Sequence, residues 1–220
     1  MGTYGAGHVV CIGQSRSFQF TARASTEQIV VNAKGRFDHP SQVTRSFGSP
    51  RFAVMPKRDV YTHGHQPAVV NQHARRTAEL CAAFARDAIS DNSLLLDVGC
   101  GPASITVGLA KWVPKGSVTA IELGGAILDT ASSTIAESGL GNVKVEEGSV
   151  YELPYEDGVF DVTYAHQVLQ HLTDPVLALR EMARVTRSGG YVAVRDADYY
   201  TMSSSPESEA IEKWREIYRR

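Results

Sequence analysis

The chain has 220 residues, 43% of them hydrophobic and 21% charged, with a formal net charge of −2. That is one domain of ordinary size with residues to spare for an arm or tail, and the charge balance excludes a disordered chain or a nucleic-acid or membrane-surface binder. No apolar run approaches the roughly 18 to 20 residues of a membrane span, and three scattered cysteines (Cys11, Cys81, Cys100) make neither a disulfide framework nor a zinc site.

Residues 1 to 58 carry eight basic side chains against two acids, Glu27 and Asp38, and only short β-like runs, His8 to Ile12 and Gln28 to Val31. An organelle-targeting segment has such a composition, but the first fifteen residues hold no basic side chain and no amphipathic helix. The stretch 1–59 is therefore expected to be a basic, poorly structured arm on a cytoplasmic protein. From 60 the pattern is regular. Val70, Ala74, Thr77, Cys81, Phe84 and Ala88 step by three and four, which predicts a helix over 68–89. Leu94 to Val98 reads as a buried strand, Ile105, Leu109 and Trp112 as a helical stripe, and Val118 to Leu123 as a second strand. Ile127, Leu128, Ala131 and Ile135 predict a helix closed by Gly139. Strands follow at Val143 to Glu146 and Phe160 to Ala165, then a helix begins near His166 and yields to Asp174-Pro175. The next stripe, Val176, Leu179, Met182 and Ala183, is expected to run until Gly189-Gly190, and Tyr191 to Arg195 makes the fifth strand. Strand and helix alternating five times require a mostly parallel, doubly wound sheet flanked by helices, spanning 60–200, with 201–220 a terminal loop and helix.

Such a sheet binds ligands beyond the carboxyl ends of its strands. The first strand ends in Asp97, followed by Gly99-Cys100-Gly101, where glycines let backbone N–H groups approach a ligand closely. A dinucleotide loop would place a third glycine where Ser104 stands, and Asp97 would repel a phosphate. The second strand ends at Glu122, an acid placed to accept hydrogen bonds from ribose hydroxyls. The third delivers Ser149 and Val150, the fourth His166, and the fifth Arg195, Asp196 and Asp198, an ion-paired loop or part of an acceptor wall. On a helix, His166 and Gln170 would face one cavity, while His171 points elsewhere and packs. The thiol of Cys100 reads as a small packing group, and His63 and His65 lack a third metal ligand.

Three pieces in this order, Leu-Leu-Leu-Asp-Val-Gly-Cys-Gly-Pro (94–102), Leu-Pro-Tyr-Glu-Asp-Gly-Val-Phe-Asp (153–161) and Ala-His-Gln-Val-Leu-Gln-His-Leu (165–172), resemble the class I S-adenosylmethionine-dependent methyltransferases. The resemblance is to the small-molecule group related to the ubiquinone and menaquinone biosynthesis enzymes. It implies a Rossmann-like fold, S-adenosyl-L-methionine as cofactor, no metal, and methyl transfer to a small-molecule oxygen, nitrogen or carbon. By resemblance, Asp97, Gly99, Cys100 and Gly101 hold the methionine end, Glu122 the ribose, and Leu123, Ser149 and Val150 the adenine. Tyr61 serves as a lid contact and His166 as a base where one is needed. The family usually carries Asp at the position of Ser149, a stronger acceptor than a neutral hydroxyl.

The family fold commonly adds two strands after the fifth, and here Tyr199 leads instead to a Ser-rich loop and a helix with Ile211, Trp214, Ile217 and Tyr218. The fifth strand would be an open edge, to be covered by that helix, by the N-terminal β-like runs, or by a second copy of the chain in a homo-oligomer. The alternative to an active enzyme is a catalytically degenerate methyltransferase-like protein that acts through association with a partner chain.

Overall fold

A computed structural model of the chain describes residues 7–14, 29–32, 70, 73–198 and 208–218. Seven strands form one sheet: β1 (Gly7–Gln14), β2 (Ile29–Asn32), β3 (Leu94–Val98), β4 (Ser117–Glu122), β5 (Val143–Glu147), β6 (Phe160–His166) and β7 (Thr186–Asp198). Their order is β2-β1-β7-β6-β3-β4-β5. β3 to β7 are mutually parallel, so each joining segment crosses a face of the sheet. The sheet grows one way from β3 through β4 to β5, and the other way through β6 to β7. The strand order therefore reverses beside β3, which puts the ligand crevice at the tip that carries Asp97.

Alternation along the strands sorts the core. Leu95, Tyr164 and Ala193 face α2 (Ser104–Trp112), packing with Ile105, Leu109 and Val113. Leu96, Val98, Ala165, Val192 and Val194 face the opposite way, onto Ala178, Met182 and Val185 of α4 (Pro175–Val185). The helix α3 (Ala126–Ser138) lays Ala131 and Ile135 over Ala120 and ends at Gly139, as its stripe predicts. Asp174 caps α4, its Oδ1 accepting from Leu177 N at 2.9 Å, with Pro175 opening the first turn.

Three expected elements differ. The single helix over 68–89 is instead broken: Val70 and His73 are helical, with Ala74 N donating to Val70 O at 2.8 Å, and after a turn comes a four-residue helix, α1 (Ala78–Cys81), followed by a 3₁₀ helix, Ala83–Ala88. Thr77 caps α1, and the 3₁₀ winding shows in its i+3 bonds, Ala85 N donating to Ala82 O at 2.9 Å and Ile89 N to Arg86 O at 3.1 Å, while Ala82, Ala85 and Ile89 are buried. No helix begins at His166. That residue closes β6, Gln167 takes φ 59°, and only a 3₁₀ turn, Leu169–His171, follows. α4 stops at Val185 rather than at Gly189-Gly190, because Thr186 is already extended; its hydroxyl donates to Met182 O at 2.7 Å and lies 3.0 Å from Thr163 Oγ1.

The edge of β7 is taken by β1, antiparallel, from Gly7 opposite Asp198 to Gln14 opposite Tyr191. This places the first β-like run of the arm inside the sheet and closes the edge through which a second copy was expected to pair; β2 lies outermost. The arm is thus in part strand, with its remaining residues outside those described. A final helix, α5 (Glu209–Tyr218), follows. Among the described residues no helix is long and apolar enough to cross a membrane.

Candidate functional site

Asp97 ends the apolar run of β3 and is only 3% exposed. Thr106 of α2 donates to its Oδ2 at 2.7 Å. Burial, and secondarily the negative charge of Glu122, hold the Asp97 carboxyl up to about 7. Among the described residues neither carboxylate forms an ion pair, so the two strand tips present negative charge without a protein cation to answer it.

The loop between β3 and α2 is wound tightly onto β4. Gly99 N and Cys100 N both donate to Ile121 O, at 2.9 and 3.1 Å. Gly99 (φ 67°) and Gly101 (φ 56°) sit in the left-handed region that a side chain disfavours. They differ in what surrounds them. A Cβ on Gly99 would lie 2.6 Å from Val168 Cγ2, whereas a Cβ on Gly101 would meet nothing within 4 Å. The Cβ side of Gly101 is therefore open among the described residues. Ala103 adopts φ 61° just before α2 starts, and Ser104, in place of a third glycine, donates through Oγ to His73 O at 3.0 Å. The Cys100 thiol is buried and pushed up by burial and by both carboxylates, which removes it as a nucleophile.

Glu122 closes the other side of this loop. Its Oε2 accepts from Gly101 N at 2.9 Å and its Oε1 from Leu123 N at 3.0 Å. A carboxylate has about four acceptor positions, so about two remain free for outside donors. Leu123 is 65% exposed beside it, an apolar surface uncovered among the described residues. Gly148 N donates to Glu122 O at 2.9 Å and so joins the tips of β4 and β5. Beyond Gly148, Val150 is buried, and the half-buried Ser149 has its Oγ accepting from Tyr151 N at 3.3 Å.

The motif over 153–161 acts as a brace. Arg184 donates to Tyr155 O at 2.7 Å and to Leu153 O at 2.9 Å, pairs both Glu181 oxygens at 2.8 Å, and reaches Asp157 at 3.0 Å. Asp161 Oδ2 accepts from Leu94 N at 2.7 Å, tying β6 to the start of β3. The structure thus gathers Asp97, Gly99, Cys100, Gly101, Glu122 and Leu123 around one loop, with Ser149 and Val150 on the adjoining tip. His166 stands at the end of β6, paired in register with Arg195 of β7 rather than sharing a helix face with Gln170. Arg195 donates to Leu80 O at 2.7 Å, which separates it from Asp196 instead of pairing the two. Tyr61, His63 and His65 lie outside the described residues.

Sequence reading missed Thr106, whose only signal was a hydroxyl on the buried face of α2, and Arg184, an ordinary basic residue in a helix pattern.

Comparison with known proteins places this geometry. The family described as "Methyltransferase domain" matches residues 89–220. An uncharacterized methyltransferase of Schizosaccharomyces pombe is 39% identical over 153 residues, 67% of this chain and 55% of its own length. A demethylmenaquinone methyltransferase of Halalkalibacterium halodurans is 34% identical over 115 residues, 52% of this chain and 47% of its own. The chain thus spans about half the length of the curated relatives it matches. In fold it is similar to a SAM-dependent methyltransferase of Aquifex aeolicus, with a TM-score of 0.56 at 23% identity over 70% of this chain and 88% of that one. The chain belongs to the methyltransferase-domain family.

Proposed function

We propose that the protein transfers a methyl group from S-adenosylmethionine to an oxygen, nitrogen or carbon of a small-molecule acceptor. The observation that carries this reading is the pair of carboxylates, Asp97 and Glu122, on adjacent strand tips around one glycine turn, with no cation paired to either among the described residues. These residues fit the cofactor in charge and shape. A buried carboxylate held up to about 7 gains from a cationic methionine end, which would favour its ionised form. The open side of Gly101 admits a ligand against the backbone. The free acceptor positions of Glu122 suit a ribose diol, and exposed Leu123 suits the flat face of adenine.

When bound, the cofactor supplies a methyl group already activated by its sulfonium charge. The protein's own task is then alignment and exclusion of water, not generation of a reactive group. Thr106 fixes the Asp97 carboxylate, the Gly99 and Cys100 amides fix the loop on β4, and Arg184 fixes the segment that follows the adenine side. Ser149 stands where the family usually has Asp, and it offers the adenine a neutral hydrogen bond. His166 is the candidate proton acceptor for acceptors that must lose one. A small-molecule acceptor is supported by relatives named for menaquinone chemistry.

Titration calorimetry with S-adenosylhomocysteine tests the reading. Saturable binding is expected, with Glu122→Gln weakening it about tenfold or more through loss of a charged acceptor for the ribose. Absence of saturable binding at millimolar ligand would contradict it.

A further inference from the structure

Two oxygens at the carboxyl end of β6 and β7 are buried without a donor. Asp196 lies just beyond the last pairing of β7 with β6 and is 7% exposed. Its Oδ1 accepts from Gln170 N at 3.3 Å, and the Leu169 amide also turns toward the carboxylate, but Oδ2 has no partner among the described residues. Gln170 has its Nε2 3.4 Å from Gln167 Oε1 and 3.1 Å from His171 Nε2, while its Oε1 is likewise buried and unmatched. Buried acceptors are normally paired, and each one left alone costs about 1 to 3 kcal/mol. Two such acceptors, one on the Leu169–His171 turn and one on the β7 residue that the turn bonds, are a mould for a donor. The nearest cation in sequence does not answer them, since Arg195 is committed to Leu80 O on the other face of the strand.

We propose that Asp196 Oδ2 and Gln170 Oε1 form a subsite that receives the O–H or N–H group of the methyl acceptor. The proposal rests on the methyltransferase reading above and narrows it to acceptors that carry a hydrogen-bond donor. The subsite lies at the same end of the sheet as Asp97 and Glu122, with β6 alone between β3 and β7. The turn that carries Gln170 is joined to β6 through Gln167 at φ 59°, a backbone state a non-glycine residue adopts at a cost.

The test uses the full chain with ¹³C-carboxyl aspartate, saturated with S-adenosylhomocysteine, and three probes: phenol, benzylamine and anisole. Anisole matches phenol in shape but lacks the donor. Phenol, benzylamine or both should shift the Asp196 carboxyl resonance in a saturable way, and anisole should not. The responsive probe tells hydroxyl from amine. Asp196→Asn keeps an oxygen for the Leu169 and Gln170 amides and replaces the unmatched oxygen with a donor, so it should weaken probe binding about tenfold or more while leaving S-adenosylhomocysteine affinity unchanged. Gln170→Leu gives the same direction should Asp196→Asn fail to fold. Equal shifts from anisole, no shift from any probe (a resident water only), or wild-type probe affinity in the folded variants overturns the subsite. Failure to bind S-adenosylhomocysteine overturns the methyltransferase reading instead.

Discussion

Asp97 is costly to keep ionised and useful only when it is. With its carboxyl raised from 3.8 to about 7, the folded state holds a proton across that window which the unfolded chain has released. Stability from this group is therefore full below about 4 and is lost as pH rises through about 7. Asp97→Asn should accordingly raise stability at pH 8 by about 1 to 2 kcal/mol in a melting experiment, while weakening cofactor binding. In the wild type, cofactor affinity should climb from pH 6 to pH 8 and level off above, because a cationic ligand selects the ionised carboxylate; the Asn variant should show no such climb in calorimetry. The two loop glycines separate folding from binding. Gly99→Ala places a methyl 2.6 Å from Val168 Cγ2 at φ 67° and should cost about 1 to 3 kcal/mol by urea unfolding. Gly101→Ala meets open space at φ 56°, so it should cost about 1 kcal/mol yet weaken cofactor binding by more than Gly99→Ala does.

Between elements, one guanidinium does much of the holding. Arg184 joins α4 to the segment ahead of β6 through two carbonyls and Asp157 while pairing Glu181 of its own helix, a planar fork that an ammonium cannot copy. Arg184→Lys should lose about 1 to 3 kcal/mol in urea unfolding, close to the loss in Arg184→Ala, because the lost bonds are directional; full rescue by Lys would show that charge alone matters. At this scale the sequence was readable where one cue settled one boundary: Gly139 ends α3, and Asp174-Pro175 starts α4. It was not readable where two periods overlap. Steps of three and four over 68–89 are shared by α and 3₁₀ backbones, and only the backbone bonds, Ala85 N to Ala82 O and Ile89 N to Arg86 O, decide between them. The turn after His166 was hidden for a similar reason, since a left-handed Gln167 has no side-chain signature.

Across the whole molecule, the parallel core followed from alternation of strand and helix, but the neighbour of β7 did not. Three candidates could cover that edge by composition, and long-range pairing selects β1. The candidate site divides in the same way. Asp97, Glu122 and the glycines stand at strand tips and announce themselves by type and place, whereas the burial of Asp196 and the reach of Thr106 arise only when distant elements meet. What unites these scales is the claim that two carboxylates at neighbouring tips hold one charged nucleoside. A crystal structure of the chain with S-adenosylhomocysteine measures this directly. The account predicts ribose hydroxyls on Glu122, the amino-acid end at Asp97 and the Gly101 backbone, and adenine on Leu123; ligand density touching neither carboxylate would contradict it.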